Sequence, residues 1–132
     1  MSKYTDAAQV LRDDTSAHYN CTQSVLLPFA EEQGISREVA LKIAANFGGG
    51  MRCASTCGAI TGGLMVLGLM GVEDPAVIRA YFKLFKDHHA GMTTCAELLK
   101  ANVAAGGTKK AHCDGMVKEA IEAVEAILAE TK

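Results

Sequence analysis

Five cysteines, Cys21, Cys53, Cys57, Cys95 and Cys113, are the residues of this 132-residue chain best suited to chemistry. An odd number does not close into a full set of structural disulfides. In a reducing compartment several cysteines point to metal ligation or thiol exchange, and a cysteine that does neither serves as a small buried apolar side chain. The thiolate is the nucleophile and the ligand, so the useful cysteines are those placed where negative charge is stabilised. Cys95 and Cys113 are predicted at helix N-termini and Cys57 near the start of a third helix, where the helix dipole and free N–H groups lower a thiol pKa. Lys109 and Lys110, just before Cys113, push the same way. Cys21 is expected in mid-helix, where only a partner sulfur or a metal would have that effect. Cys53 and Cys57 are one helical turn apart, so their sulfurs could face each other.

Other side chains could join these thiols. His112 adjoins Cys113 and His18 lies three residues before Cys21; His88 and His89 read as helix-end residues. Met51, Met65, Met70, Met92 and Met116 could suggest soft copper ligation, but they fall at core spacing. No Ser-His-Asp set, phosphate-cradling loop or pair of catalytic carboxylates is evident. Gly48-Gly49-Gly50 could bind an anion at a helix start or act as a hinge.

Helical periodicity dominates the chain, with no linker, repeat or alternating strand pattern, and the expectation is one all-α domain over residues 1–132, a compact bundle of about five to six helices. A first helix is predicted from Thr5 to about Glu32, kinked or ended near Leu27 by Pro28. A second, capped by Ser36, runs from Arg37 to Phe47 with Val39, Ala40, Ile43 and Phe47 as its apolar stripe. A third is expected from about Arg52 to Met70, buried and central, with Ala54, Gly58 and Gly62 leaving one side almost without side chains. Glycine inside a helix costs about 1 kcal/mol against alanine. Gly58, Gly62, Gly63 and Gly68 therefore imply that something approaches closely, either a neighbouring helix or a cofactor. Asp74-Pro75 begins a fourth helix ending near His88. Thr94 and Glu97 have capping-box spacing, which puts Cys95 at a first helical position. A last helix from Lys110 or His112 to Glu130 carries Cys113, Val117, Ile121, Val124 and Leu128 on one face.

Composition narrows the partners. The formal net charge is −2, tryptophan is absent and aromatic residues make up 5%, which disfavours nucleic acid. Arg52, Ser55, Thr56 and Thr61 interrupt the most apolar segment, so no membrane span is expected. The N-terminus turns polar at once, without a signal-like apolar stretch, and a cytoplasmic location is expected. The small-residue face of the third helix could serve a homodimer as readily as the internal core.

Around these cysteines the sequence resembles the C_GCAxxG_C_C family, named for four cysteines and a Cys-Gly-Ala-x-x-Gly motif. Cys21 matches the first cysteine, Cys57-Gly58-Ala59-Ile60-Thr61-Gly62 the motif, and Cys95 and Cys113 the remaining two. Phe47-Gly48-Gly49-Gly50-Met51 and Met65-Val66-Leu67-Gly68-Leu69 also look like the family, and the resemblance runs from about Tyr19 to Leu128. It implies an all-helical, redox-active protein; a similar domain in split-Soret-type cytochromes is thought to hold an iron–sulfur cluster. Covalent haem is not implied, because Cys-x-x-Cys-His is missing, and Cys53 is not one of the four.

Three chemistries follow. Cys21, Cys57, Cys95 and Cys113 could hold an iron–sulfur cluster for electron transfer to a redox partner, with Gly58 and Gly62 letting backbone approach the cofactor. Two of the cysteines, Cys53 with Cys57 or Cys57 with Cys95, could instead perform thiol–disulfide exchange. The four thiolates would also suit zinc or copper(I).

Overall fold

The computed structural model describes residues 2–131. Among these, the chain forms seven α-helices: α1 Lys3–Asp13, α2 Cys21–Glu32, α3 Arg37–Ala44, α4 Gly58–Leu69, α5 Pro75–His88, α6 Cys95–Ala104 and α7 Lys109–Glu130. A wide irregular turn, Gly50–Ala54, precedes α4. The all-α class holds, with more helices than the periodicity suggested.

Most helix starts are written locally. Asn20, Ser36, Thr94 and Thr108 each accept a backbone N–H three residues on, satisfying a donor that the helix leaves free. Asp74 caps α5, with Pro75 at its first position. The expected long first helix is in fact two. Asp14 Oδ1 accepts from the Ser16 N–H at 2.7 Å and the Ser16 hydroxyl at 2.6 Å, which turns the chain out of α1. Asn20 and Gln23 then cap α2 reciprocally. α1 begins at Lys3, ahead of the predicted start at Thr5, with Ser2 as its N-cap and Thr5 as the reciprocal partner. Pro28 does not end α2, which continues to Glu32. Val25, Leu27, Phe29 and Ala30 are at most 2% exposed, and their burial outweighs the hydrogen bond that proline removes.

α3 stops at Ala44, short of Phe47, and buries Ala40 and Ala44 rather than Val39 and Ile43. The third predicted helix starts at Gly58, not Arg52. Gly49, Gly50, Met51, Arg52 and Ala54 all have left-handed backbone angles, which a right-handed helix excludes.

The core lies where α4 packs between α2 and α7. Two of the α4 glycines make the first contact close. A Cβ on Gly62 would stand 2.9 Å from Val25 Cβ and 3.0 Å from the Thr22 carbonyl, and one on Gly58 would stand 2.9 Å from Thr22 Oγ1. The Thr22 hydroxyl in turn donates to the Gly58 carbonyl at 2.8 Å. Gly63 faces α5, where a Cβ would collide with the Tyr81 hydroxyl; that hydroxyl donates to the Ile60 carbonyl at 2.8 Å. α7 closes the core with Val117, Ala120, Ile121 and Val124. Among the described residues, no helix is long and apolar enough to cross a membrane.

Opposite outcomes are expected for two glycines of the same helix. Gly62→Ala should lower stability by roughly 1–3 kcal/mol through overpacking against α2. Gly68, with open space around its Cα, should tolerate alanine and gain up to about 1 kcal/mol. Urea denaturation of both variants checks this.

Candidate thiol site

α2, α4, α6 and α7 begin around one cavity of about 130 Å³. Cys21, Cys57, Cys95 and Cys113 all line it, together with Arg12, His18, Asn20, Gly49, Gly58, Lys109 and His112. Leu98, Leu99 and Met116 supply an apolar wall. Among the described lining residues there is no aspartate or glutamate, and helix N-termini add positive potential.

Each cysteine has its own placement. Cys21 is the first residue of α2, directly after the Asn20 cap, and not in mid-helix. Cys57 is the N-cap of α4 and is 6% exposed. Cys95 is the first residue of α6, as the Thr94 cap predicts. Cys113 is the fifth residue of α7, because Thr108 caps that helix; it sits one turn deeper than expected. A short antiparallel pairing fixes Cys57 against Cys95. Thr56 and Thr94 form an isolated bridge, the Cys57 N–H donates to the Thr93 carbonyl at 2.9 Å, and the Cys95 N–H donates to the Ser55 carbonyl at 2.6 Å. Residues on either side of such a bridge share the opposite face, so Cys57 and Cys95 stand diagonally on the same side.

The other candidates divide. Gly58 lines the cavity; Gly62 does not, and packs on α2 instead. Cys53 is exposed on the irregular turn, where its thiol donates to the Gly50 carbonyl at 3.6 Å. It shares no helix with Cys57, which removes the basis for the one-turn pairing of their sulfurs. His112 reaches the cavity half-buried, and burial pulls its pKa down. His18 touches the cavity from an exposed loop. His89 Nε2 lies 2.9 Å from Glu119 Oε2 and His88 Nδ1 lies 3.6 Å from Oε1, an arrangement outside the cavity. Met116 is the methionine on the lining; Met51 and Met70 are exposed.

Arg12 is the residue the spacing of cysteines did not point to. Its Nε lies 2.7 Å from Asp114 Oδ1 and its Nη1 donates to the Tyr19 carbonyl at 2.9 Å. The two side chains are 11% and 15% exposed, so this ion pair is largely shielded. Arg12 therefore brings a fixed positive charge beside Cys21 and Cys113.

Acidity differs sharply among the thiols. Cys21 and Cys113 line the same cavity and influence each other, which raises Cys21 and draws Cys113 down to about 6; Arg12 and Lys109 pull Cys113 the same way. Burial pushes Cys57 up, and the backbone N–H groups of Ala59 and Ile60 offset part of this without closing a full capping hydrogen bond. Burial raises Cys95 as well. The cavity thus favours one thiolate, and the other three sulfurs release protons when a cation or an electrophile takes them. Among the described residues, no three His, Cys, Asp or Glu side chains are grouped for a single metal ion.

In the reduced, metal-free protein, alkylation of Cys113 should rise through pH 6 and level off by neutrality, because protonation below that pH removes the nucleophile. Cys57 and Cys95 should stay slow at neutral pH. Mass-spectrometric mapping of iodoacetamide labelling across pH reads both, and equal labelling of all thiols at pH 7 would contradict the assignment.

No curated protein and no solved structure matches the chain. Residues 19–127 match the family described as "Putative redox-active protein (C_GCAxxG_C_C)", a span that takes in all four cavity cysteines and the Cys57–Gly62 motif, and the chain belongs to that family.

Proposed function

We propose that the protein transfers electrons through an iron–sulfur cluster held by Cys21, Cys57, Cys95 and Cys113. One observation carries this reading: four cysteines from four helix starts line one cavity that also holds Arg12 and Lys109 and no lining carboxylate. Four thiolates are the ligand set that such clusters use. Ligands on separate irons spread wider than ligands on one ion, which all sit about 2.3 Å from a single point. Four cysteines carried by four different helices suit the wider arrangement.

A bound cluster would supply one-electron chemistry. The protein residues do the rest. Arg12 and Lys109 offset the negative charge of the ligands. The N–H groups of Ala59 and Ile60 lie near the Cys57 sulfur, where they favour the charged form. Leu98, Leu99 and Met116 keep water from the apolar side. Lower solvent access and N–H groups near sulfur both tune a reduction potential.

Cys21 and Cys113 line one cavity and differ sharply in acidity, which favours a second reading, dithiol exchange. Cys113 is the more acidic thiol and would attack a disulfide substrate; Cys21 would then resolve the mixed disulfide. The protein pair becomes a disulfide and the substrate leaves as two thiols, so electrons and protons balance.

Protein purified without oxygen, or reconstituted with iron and sulfide, should be brown and contain both elements, and Cys57→Ser should lose most of the colour. A colourless wild type that takes up neither element sinks the cluster reading. A colourless protein with a titratable Cys21–Cys113 disulfide supports the second.

A further inference from the structure

α1 ends before the residues that match the family begin, at Tyr19. It nevertheless reaches the cysteine cavity through Arg12. The guanidinium makes contacts in two directions. One nitrogen donates to the Tyr19 carbonyl, two residues before Cys21, at 2.9 Å, and another pairs with Asp114, the residue after Cys113, at 2.7 Å. The chain segments that carry Cys21 and Cys113 are thus joined through one side chain from outside the matched region. Asp114 is held in place by its own neighbours, Lys110 Nζ at 2.7 Å and Gln9 Nε2 at 3.4 Å.

We propose that Arg12 is a positioning residue of the thiol site, a clamp from α1 that holds the Cys21 and Cys113 ends at the spacing the centre needs. The inference rests on the reading that these two thiols act together, whether as cluster ligands or as a dithiol. A planar guanidinium makes such directional contacts from a single side chain, whereas a lysine ammonium is a point charge on a flexible stem. Ordinary packing of α1 does not require this. Thr5, Ala8 and Leu11 bury the helix without a charge, and leaving a shielded cation among thiols is costly unless it is paired.

Phenylarsine oxide, which bridges two neighbouring thiols, tests the clamp in reduced, metal-free protein. The wild type should bind one equivalent across Cys21 and Cys113, mapped by mass spectrometry. Arg12→Gln should capture it about tenfold more slowly, the scale expected when hydrogen bonds to a charged group are lost. Arg12→Lys should fall in between. Lys110→Gln removes the exposed pairs of Lys110 with Asp13 and Asp114, leaves the guanidinium contacts in place, does not enter the cavity, and should stay close to wild type. Capture by Arg12→Gln at the wild-type rate overturns the proposal, as does an equal loss in Lys110→Gln. If Arg12→Gln does not fold, Arg12→Lys decides: slowed capture supports the clamp and an unchanged rate overturns it. Failure of the cluster reading shows separately, as a wild type that takes up no iron or sulfide.

Discussion

Four helices that start at one place impose the rest of this structure. The first turn of an α-helix has N–H groups with no partner inside the helix, and α2, α4, α6 and α7 turn those ends toward the same cavity. Positive potential accumulates there, and Arg12 and Lys109 add to it. Such a place suits negative charge, and the side chains supplied to carry it are sulfurs. The same convergence explains the division of labour among caps. Asn20, Thr94 and Thr108 satisfy helix N–H groups with side-chain oxygen; at α4 the capping residue is Cys57 itself, with no full side-chain hydrogen bond. That start keeps its sulfur available.

Burial works against this potential. Cys57 is almost wholly enclosed, and a buried thiolate is disfavoured unless something pairs with it. Without an occupant the cavity compromises: Cys113 carries the charge, and Cys21, Cys57 and Cys95 keep their protons. The proposed cationic centre would reverse the balance, since each sulfur would then have a partner and the surrounding positive charges would offset the surplus. The α4 glycines belong to the scaffold side of this arrangement. Gly62 and Gly63 admit α2 and Tyr81, and only Gly58 reaches the cavity as well.

Much of this was legible in the sequence. Caps at Ser36, Asp74 and Thr94 stand as their residue types indicate, and the all-helical class follows from the periodicity. The four cysteines were identifiable from the motif, which ties them to one another although they lie far apart along the chain. The break between α1 and α2 had signals too, in the Asp14–Ser16 turn and the Asn20–Gln23 box, but a continuous apolar period masked them. Arg12 stands seven residues after Thr5 and four after Ala8, on the stripe that α1 buries. A charge on a buried stripe is a legible sign of a specific partner; which partner depends on Asp114, more than a hundred residues away, and that required the fold.

The left-handed turn before α4 shows why periodicity failed where it did. Met51, Arg52 and Ala54 adopt backbone angles that cost about 1–2 kcal/mol each in residues other than glycine. A helix from Arg52 would avoid that strain and would satisfy the local spacing of Cys53 and Cys57. It would also remove the extended stretch that lets the Cys57 N–H reach Thr93 and the Cys95 N–H reach Ser55. Local preference is thus set aside for pairing with a segment nearly forty residues later, and only that pairing puts Cys57 and Cys95 on one side. The turn leaves Cys53 in solvent as a consequence. The chain selects which cysteines meet by bending its backbone against its own propensity, and the position of Cys95 is what that bend secures.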